Sequence, residues 1–279
     1  MNPLRALARL GRRPALPAPG DPSIARAVGR VVAIPIGHRD FDPTEVAIPW
    51  QVLRARGVRC VFATPDGAPG RCDPRMLDGE GLGPLAGLLR ADARARSAYA
   101  ALEADPAFAR PLAHEAVVDA GYDAILLPGG HAPGMRAYLE SRAVQSLVVD
   151  AFTRGRIVAA ICHGVLVAAR ARIGDRSALH GKRTTALLRR QELLAWRLTR
   201  RRVGDYYRTY PTPVEDEVRA ALADPGDFVR GPTPIARDRE EDLSPGFVVI
   251  DGRYLSARWP GDAHRLAGAL LGALASETA

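Results

Sequence analysis

The stretch Ile157-Val-Ala-Ala-Ile-Cys-His-Gly-Val165 constrains the fold of this chain more than any other. Ile157 to Ile161 is apolar at every position, the pattern of a short strand covered on both faces. Cys162 stands where that strand ends. Gly164 and the apolar run Val165 to Ala169 read as the opening of a helix. A strand–Cys–helix corner presents its side chain above the sheet edge, over the helix N-terminal N–H groups. Those donors and the helix dipole favour thiolate over thiol. Taken alone, the stretch leaves open the other common fate of a free cysteine, a buried apolar thiol.

The flanking chain repeats a strand–helix rhythm. Val31 to Ile36 is a second fully apolar run. It is followed by Thr44, which can cap a helix from Glu45 to Arg56 that Pro49 interrupts or kinks. Val58 to Thr64 reads as the next strand, with Cys60 pointing into the core. Residues 76–120 carry Ala, Leu and Arg at helical spacing and exceed a plain connection, so they read as a helical insertion or cap. Tyr122 to Leu127 is a strand running into Pro128-Gly-Gly-His-Ala-Pro-Gly134, and Leu139 to Thr153 is a helix. Beyond the elbow, Thr184 to Leu187 reads as a short strand, with Glu192 to Leu198 and Val214 to Leu222 as helices. Gly246 to Ile250 and Tyr254 to Ala257 form a hairpin about Asp251-Gly252, and Trp259 to Leu274 is a closing helix. This order implies an α/β fold, a doubly wound, mostly parallel sheet of flavodoxin-like type with helices on both faces. Ligands of such sheets bind outside the carboxyl ends of the strands, where Glu45, Gly129-Gly130 and Cys162 all fall.

The chain has 279 residues, 47% hydrophobic and 25% charged, which suits one soluble α/β domain, placed at residues 29–275. Residues 1–28 combine arginines with repeated prolines and read as a disordered basic extension. Cys60, Cys72 and Cys162 form neither a disulfide framework nor a metal-ligand spacing, so a reducing cytoplasm is expected. No apolar run approaches the roughly 20 residues needed to span a bilayer. The net charge is +8, and residues 182–208 carry nine Lys/Arg against Glu192 and Asp205. No helix-turn-helix pattern or aromatic-interleaved basic strand accompanies that charge. It is read as a solvated arginine-rich face, with no nucleic acid or membrane partner.

With these elements placed, the chain resembles the ThiJ/PfpI superfamily, which has a class I glutamine amidotransferase-like fold. The matching stretches are Phe-Asp-Pro-Thr-Glu45-Val-Ala, Asp-Ala-Ile-Leu-Leu-Pro-Gly-Gly-His131, Val-Ala-Ala-Ile-Cys162-His-Gly, Gly181-Lys-Arg-Thr-Thr-Ala and Phe-Val-Val-Ile-Asp-Gly-Arg253. The helical insertion and the Gly-Gly-His form are similar to the glyoxalase III and heat-shock chaperone branch. The resemblance implies Cys162 as nucleophile, Glu45 as the carboxyl group touching its sulfur, and His163 as the adjacent histidine. It implies an oxyanion hole from the N–H groups of Gly130 and His163, with Gly129 and His131 beside the substrate. A third acid is expected after the strand that follows the nucleophile helix, and Glu192 is the nearest residue to that place. The His-x-Glu pair of glutamine amidotransferases is missing, so amidotransfer is not expected.

The implied reaction is cofactor-free conversion of a 2-oxoaldehyde such as methylglyoxal to a 2-hydroxy acid, by a homodimer-forming lyase or hydratase. Two rivals remain open: a thiol amidase or peptidase, and a redox-sensing chaperone in which Cys162 is oxidised without turnover. His38 and His131 could bind a metal with Glu45, but loop histidines are more often solvated, and no metal is expected.

Overall fold

The computed structural model describes residues 15–276. In chain order the strands are β1 Val31–Pro35, β2 Arg59–Thr64, β3 Leu112–Ala113, β4 Ala124–Leu127, β5 Ile157–Ile161, β6 Arg172–Ile173, β7 Arg176–Ser177, β8 Val248–Asp251 and β9 Tyr254–Ala257. Seven of them make one sheet in the order β3-β2-β1-β4-β5-β9-β8, and β6-β7 is a separate small hairpin. Neighbours are parallel except β8, which runs antiparallel to β9. The register Leu127↔Ala160 brings the ends of β4 and β5 level, so the Pro-Gly-Gly loop and the Cys162 corner emerge side by side.

The helices of six or more residues are α1 Pro43–Arg54, α2 Ala93–Glu103, α3 Arg142–Thr153, α4 Val165–Arg170, α5 Arg189–Val203, α6 Val214–Ala221 and α7 Ala263–Ser276. α1 packs with α2 and α7, and α4 packs with α3 and α6. Between these layers every residue of β4 and β5 is buried, which is why both strands are apolar throughout. Among the described residues, no helix is long and apolar enough to cross a membrane.

Several expectations are corrected by tertiary contacts. Residues 15–28 are not a loose extension: Leu16, Ile24 and Ala27 are buried, and the 3-10 helix Pro22–Ala27 lies on α7. The part of the expected extension in residues 1–14 lies outside the described residues. The insertion at 76–120 is not wholly helical, since it supplies the edge strand β3. Thr184 to Leu187 is no strand, and Thr184 makes only an isolated bridge to Phe228. α1 is capped by Asp42, whose carboxylate accepts from the N–H groups of Thr44 (2.8 Å) and Glu45 (3.1 Å). Thr44 lies inside the helix, after Pro43 at its first position. Pro49 does not break α1, because the helix is buried almost all round and packing holds it together.

Candidate active site

Cys162 has φ +58°, in the left-handed region that costs a side-chain-bearing residue about 1–3 kcal/mol. The flanking glycines permit this corner. A Cβ on Gly164 would lie 2.1 Å from the carbonyl oxygen of Leu127, so any larger residue would push the elbow off β4. A Cβ on Gly129 would lie 2.7 Å from the His163 nitrogen and 3.0 Å from the Cys162 Cβ. The loop after β4 therefore touches the elbow directly.

Glu45 reaches the same point from the first turn of α1 and is fully buried. Its Oε2 accepts the Gly129 N–H at 2.7 Å. Burial, and then the charge of nearby Asp42, push its pKa well above the ordinary carboxyl value. Glu45 is thus a neutral acid whose Oε2 is the accepting carbonyl oxygen. The proton belongs on Oε1, which has no partner of standard hydrogen-bond geometry and whose side chain interacts with the Cys162 thiol. The thiol is likewise pushed well up, first by burial and then by Glu45 and Asp42. Cys162 therefore rests as a thiol, against the sequence expectation of a thiolate. The helix-terminal dipole is smaller than the cost of charging a buried sulfur beside carboxyl groups.

His163 lies beside that thiol. Its Nδ1 lies 3.5 Å from the Cys162 Sγ, and its Nε2 lies 3.1 Å from the Thr209 Oγ1. The Thr209 hydroxyl donates its one proton to the His131 carbonyl oxygen at 2.5 Å, since a carbonyl can only accept. Thr209 must then accept from His163, which fixes the Nε2–H tautomer and leaves the Nδ1 lone pair facing sulfur. Burial, followed by His131 and Arg170, lowers the His163 pKa well below its usual value, so the ring is neutral.

The N–H of Gly129, expected beside the substrate, is committed to Glu45. The Gly130 N–H meets no acceptor among the described residues, and the His163 N–H is directed at the sulfur. Glu192 is not the third member of the site. Its Oε2 accepts the Val214 N–H at 2.9 Å and caps α6. Thr209 is the side chain that meets His163 Nε2, and nothing in the segment Tyr206-Tyr-Arg-Thr-Tyr-Pro marks its hydroxyl for that contact. His38 lies elsewhere, 3.3 Å from Asp66.

His131 completes the cluster. Its ring centroid is 4.9 Å from those of His163 and Tyr207, and burial lowers its pKa to about 4. The ligand atoms of His131, Cys162 and His163 all lie within 4.8 Å of one another, a nitrogen–sulfur set that a soft cation such as Zn²⁺ accepts. Cys162 is only 1% exposed. The nearest opening is a chamber of about 370 Å³ that His131 and Tyr207 line and Cys162 does not.

The family model described as ThiJ/PfpI family-like matches residues 36–220. A deglycase from Pyrococcus abyssi is 31% identical over 153 residues, 54% of this chain and 61% of that protein, so the chain spans about three fifths of the curated relative's length. The rapid encystment protein of 24 kDa from Francisella tularensis superposes with TM-score 0.63 at 18% identity, covering 88% of this chain and 99% of that one. Glyoxalase III from Candida albicans does so with TM-score 0.59 at 17% identity, covering 88% and 97%. At these identities the likeness to the solved structures is one of fold.

Proposed function

The chain belongs to the ThiJ/PfpI family, and from that premise we propose that it is a cofactor-free thiol enzyme converting 2-oxoaldehydes to 2-hydroxy acids. The observation that carries the reading is the His163 Nδ1 lone pair facing the Cys162 thiol beside a neutral Glu45.

Cys162 forms a C–S bond with the aldehyde carbon while its proton passes to His163. Proton return to the new oxyanion, held by the N–H groups of Gly130 and His163, gives a hemithioacetal. A base takes the C1 proton, and Glu45 gives its own proton to the C2 oxygen, forming an enediol. Reprotonation at C2, with loss of a hydroxyl proton at C1, gives a thioester. Water cleaves that thioester, releasing the 2-hydroxy acid and restoring the thiol. The net change is addition of one water, and no oxidant or reductant is consumed. Because Cys162 is not ionised at rest, rate comes from placing proton carriers and oxyanion donors, each contributing on the order of 100-fold.

The test is lactate formation from methylglyoxal without glutathione, by wild type and by Cys162→Ala. Loss in the variant is expected, and equal turnover by both removes the proposal. The second reading is a thiol hydrolase using the same acyl-thiol step, favoured by the 31% identity to a protein named a deglycase. Release of an amine in place of lactate formation would select it. A homodimer and a cytoplasmic location belong to the same proposal. Light scattering of the purified protein checks the first.

A further inference from the structure

The chamber beyond His131 is not a plain apolar hollow. Four residues that line it each carry a buried polar atom without a hydrogen-bond partner: His131 Nδ1, Gln191 Oε1, Arg237 Nη1 and Trp259 Nε1. A buried polar atom left unpaired is costly, and most proteins carry few of them. Four around one cavity mark a place prepared for a polar group that the chain does not itself provide.

The character of that group follows from Arg237. Its Nη2 donates to the Arg90 carbonyl at 3.2 Å, and its guanidinium lies 5.6 Å from the centroid of the Trp259 ring. Among the described residues no carboxylate stands within ion-pair distance of it. It is close enough to Asp42 to draw that carboxyl's pKa down against burial, and Asp42 caps the helix that carries Glu45. Arg237 lines the chamber together with His131, whose ring packs on that of His163.

Much of the remaining lining is apolar. Leu88, Leu194, Leu198 and Ile235 also line the cavity and are 69%, 57%, 46% and 85% exposed. Large aliphatic side chains gathered in this way at a cavity mouth mark a ligand surface more often than a free one. The volume of about 370 Å³ lies in the range of drug-sized ligands. Methylglyoxal, with one methyl group as its apolar part, would leave most of it unused.

We propose that the chamber selects an amphipathic substrate: a 2-oxoaldehyde whose extended apolar chain lies on the leucines of α5. Its dicarbonyl head, and the 2-hydroxy carboxylate formed from it, is held by Arg237 and Trp259. This rests on the reaction proposed above for the substrate's chemistry, whereas the chamber's preference for an anionic head and an apolar tail stands on its own geometry.

Binding is therefore measured apart from turnover. Calorimetry with the full-length protein compares 2-hydroxyoctanoate, lactate and 1-octanol. Burial of the additional methylenes makes 2-hydroxyoctanoate at least about a hundredfold tighter than lactate. Arg237→Met weakens 2-hydroxyoctanoate by about tenfold or more and leaves 1-octanol unchanged. Trp259→Phe, which keeps the ring and removes the N–H, weakens 2-hydroxyoctanoate in the same sense and guards against a folding defect in the arginine variant. Equal affinities for 2-hydroxyoctanoate and lactate overturn the proposal, as does undiminished 2-hydroxyoctanoate binding in both variants. Tight 2-hydroxyoctanoate binding without turnover of 2-oxooctanal removes the reaction and keeps the chamber. Turnover of methylglyoxal with no hydroxyoctanoate binding does the reverse.

Discussion

At the scale of single residues, the site depends on where three protons rest. Cys162 and Glu45 both hold theirs, and His163 keeps its proton on Nε2 because Thr209 accepts there. In Thr209→Val the Nε2–H loses its acceptor and the tautomer is no longer imposed. Turnover is expected to fall about tenfold or more with little change in KM, and Thr209→Ser to restore it. Rescue by serine separates positioning from simple loss of packing. Glu45→Gln leaves Cys162 as the only acid of the pair and sets an amide donor beside sulfur. Alkylation of Cys162 by iodoacetamide should then reach its plateau at lower pH than in wild type, where the thiol titrates well above its ordinary range. Turnover of the same variant should fall about 100-fold or more, since glutamine carries no proton. If alkylation and turnover rise together, Glu45 has no part in proton transfer. Cys162 was legible in the sequence because it ends an apolar run, whereas Glu45 and His163 were named through the motifs that carry the family resemblance. Thr209 was not, because its role is fixed only by the His131 carbonyl, 78 residues away.

At the scale of elements, Glu192 shows how a site residue and a cap can be confused. An acid near the start of a helix beyond the nucleophile strand suits both roles, and only the fold reveals that its oxygen meets the first N–H of α6. Burial raises its pKa from 4.5 to about 7. The folded state then binds the proton more tightly than the unfolded chain. Its contribution is fully present below about pH 4.5 and is lost as pH rises towards 7, by about 3 kcal/mol at most. Glu192→Gln keeps an acceptor for Val214 and removes the titration. Thermal melts from pH 4.5 to 8 should show a flatter stability profile for the variant, with its gain greatest at the alkaline end. Turnover at fixed pH should be unchanged, whereas a collapse in turnover would return Glu192 to the chemistry. The same distinction explains the other misread elements. β3 is two residues long and exists through its pairing with β2, and Thr184 turns its hydroxyl to Tyr254 and Ser256 instead of extending a strand. Short segments carry too little periodicity to declare themselves.

At the scale of the whole molecule, the segment before β1 is part of the domain. Arginines and prolines without period suggest an unstructured tail, because the partners that order residues 15–28, Arg56, Glu240 and α7, all lie outside the segment and mostly more than 200 positions later in the chain. The Leu16 N–H donates to the Glu240 carbonyl at 2.9 Å. Ile24 and Ala27 are buried, and their 3-10 helix packs on α7. The Arg56 guanidinium, 1% exposed, ties the pieces together: Nε donates to the Pro17 carbonyl at 2.7 Å and Nη2 pairs with Glu240 at 2.6 Å. Deleting residues 1–28 would bare the α7 surface beneath Leu16 and Ile24 and remove one partner from a buried cation. Burial of those two side chains contributes about 3–6 kcal/mol as an upper bound, and the lost acceptor adds to the cost. The truncated protein should therefore melt on the order of 10 °C below the full chain. Arg56→Met in the full-length protein replaces the buried cation with an apolar side chain of similar reach, so it should cost less than the deletion. A truncated chain that melts with the parent would mean that the contacts with α7 and Glu240 add nothing, and that the segment is the tail its composition suggests.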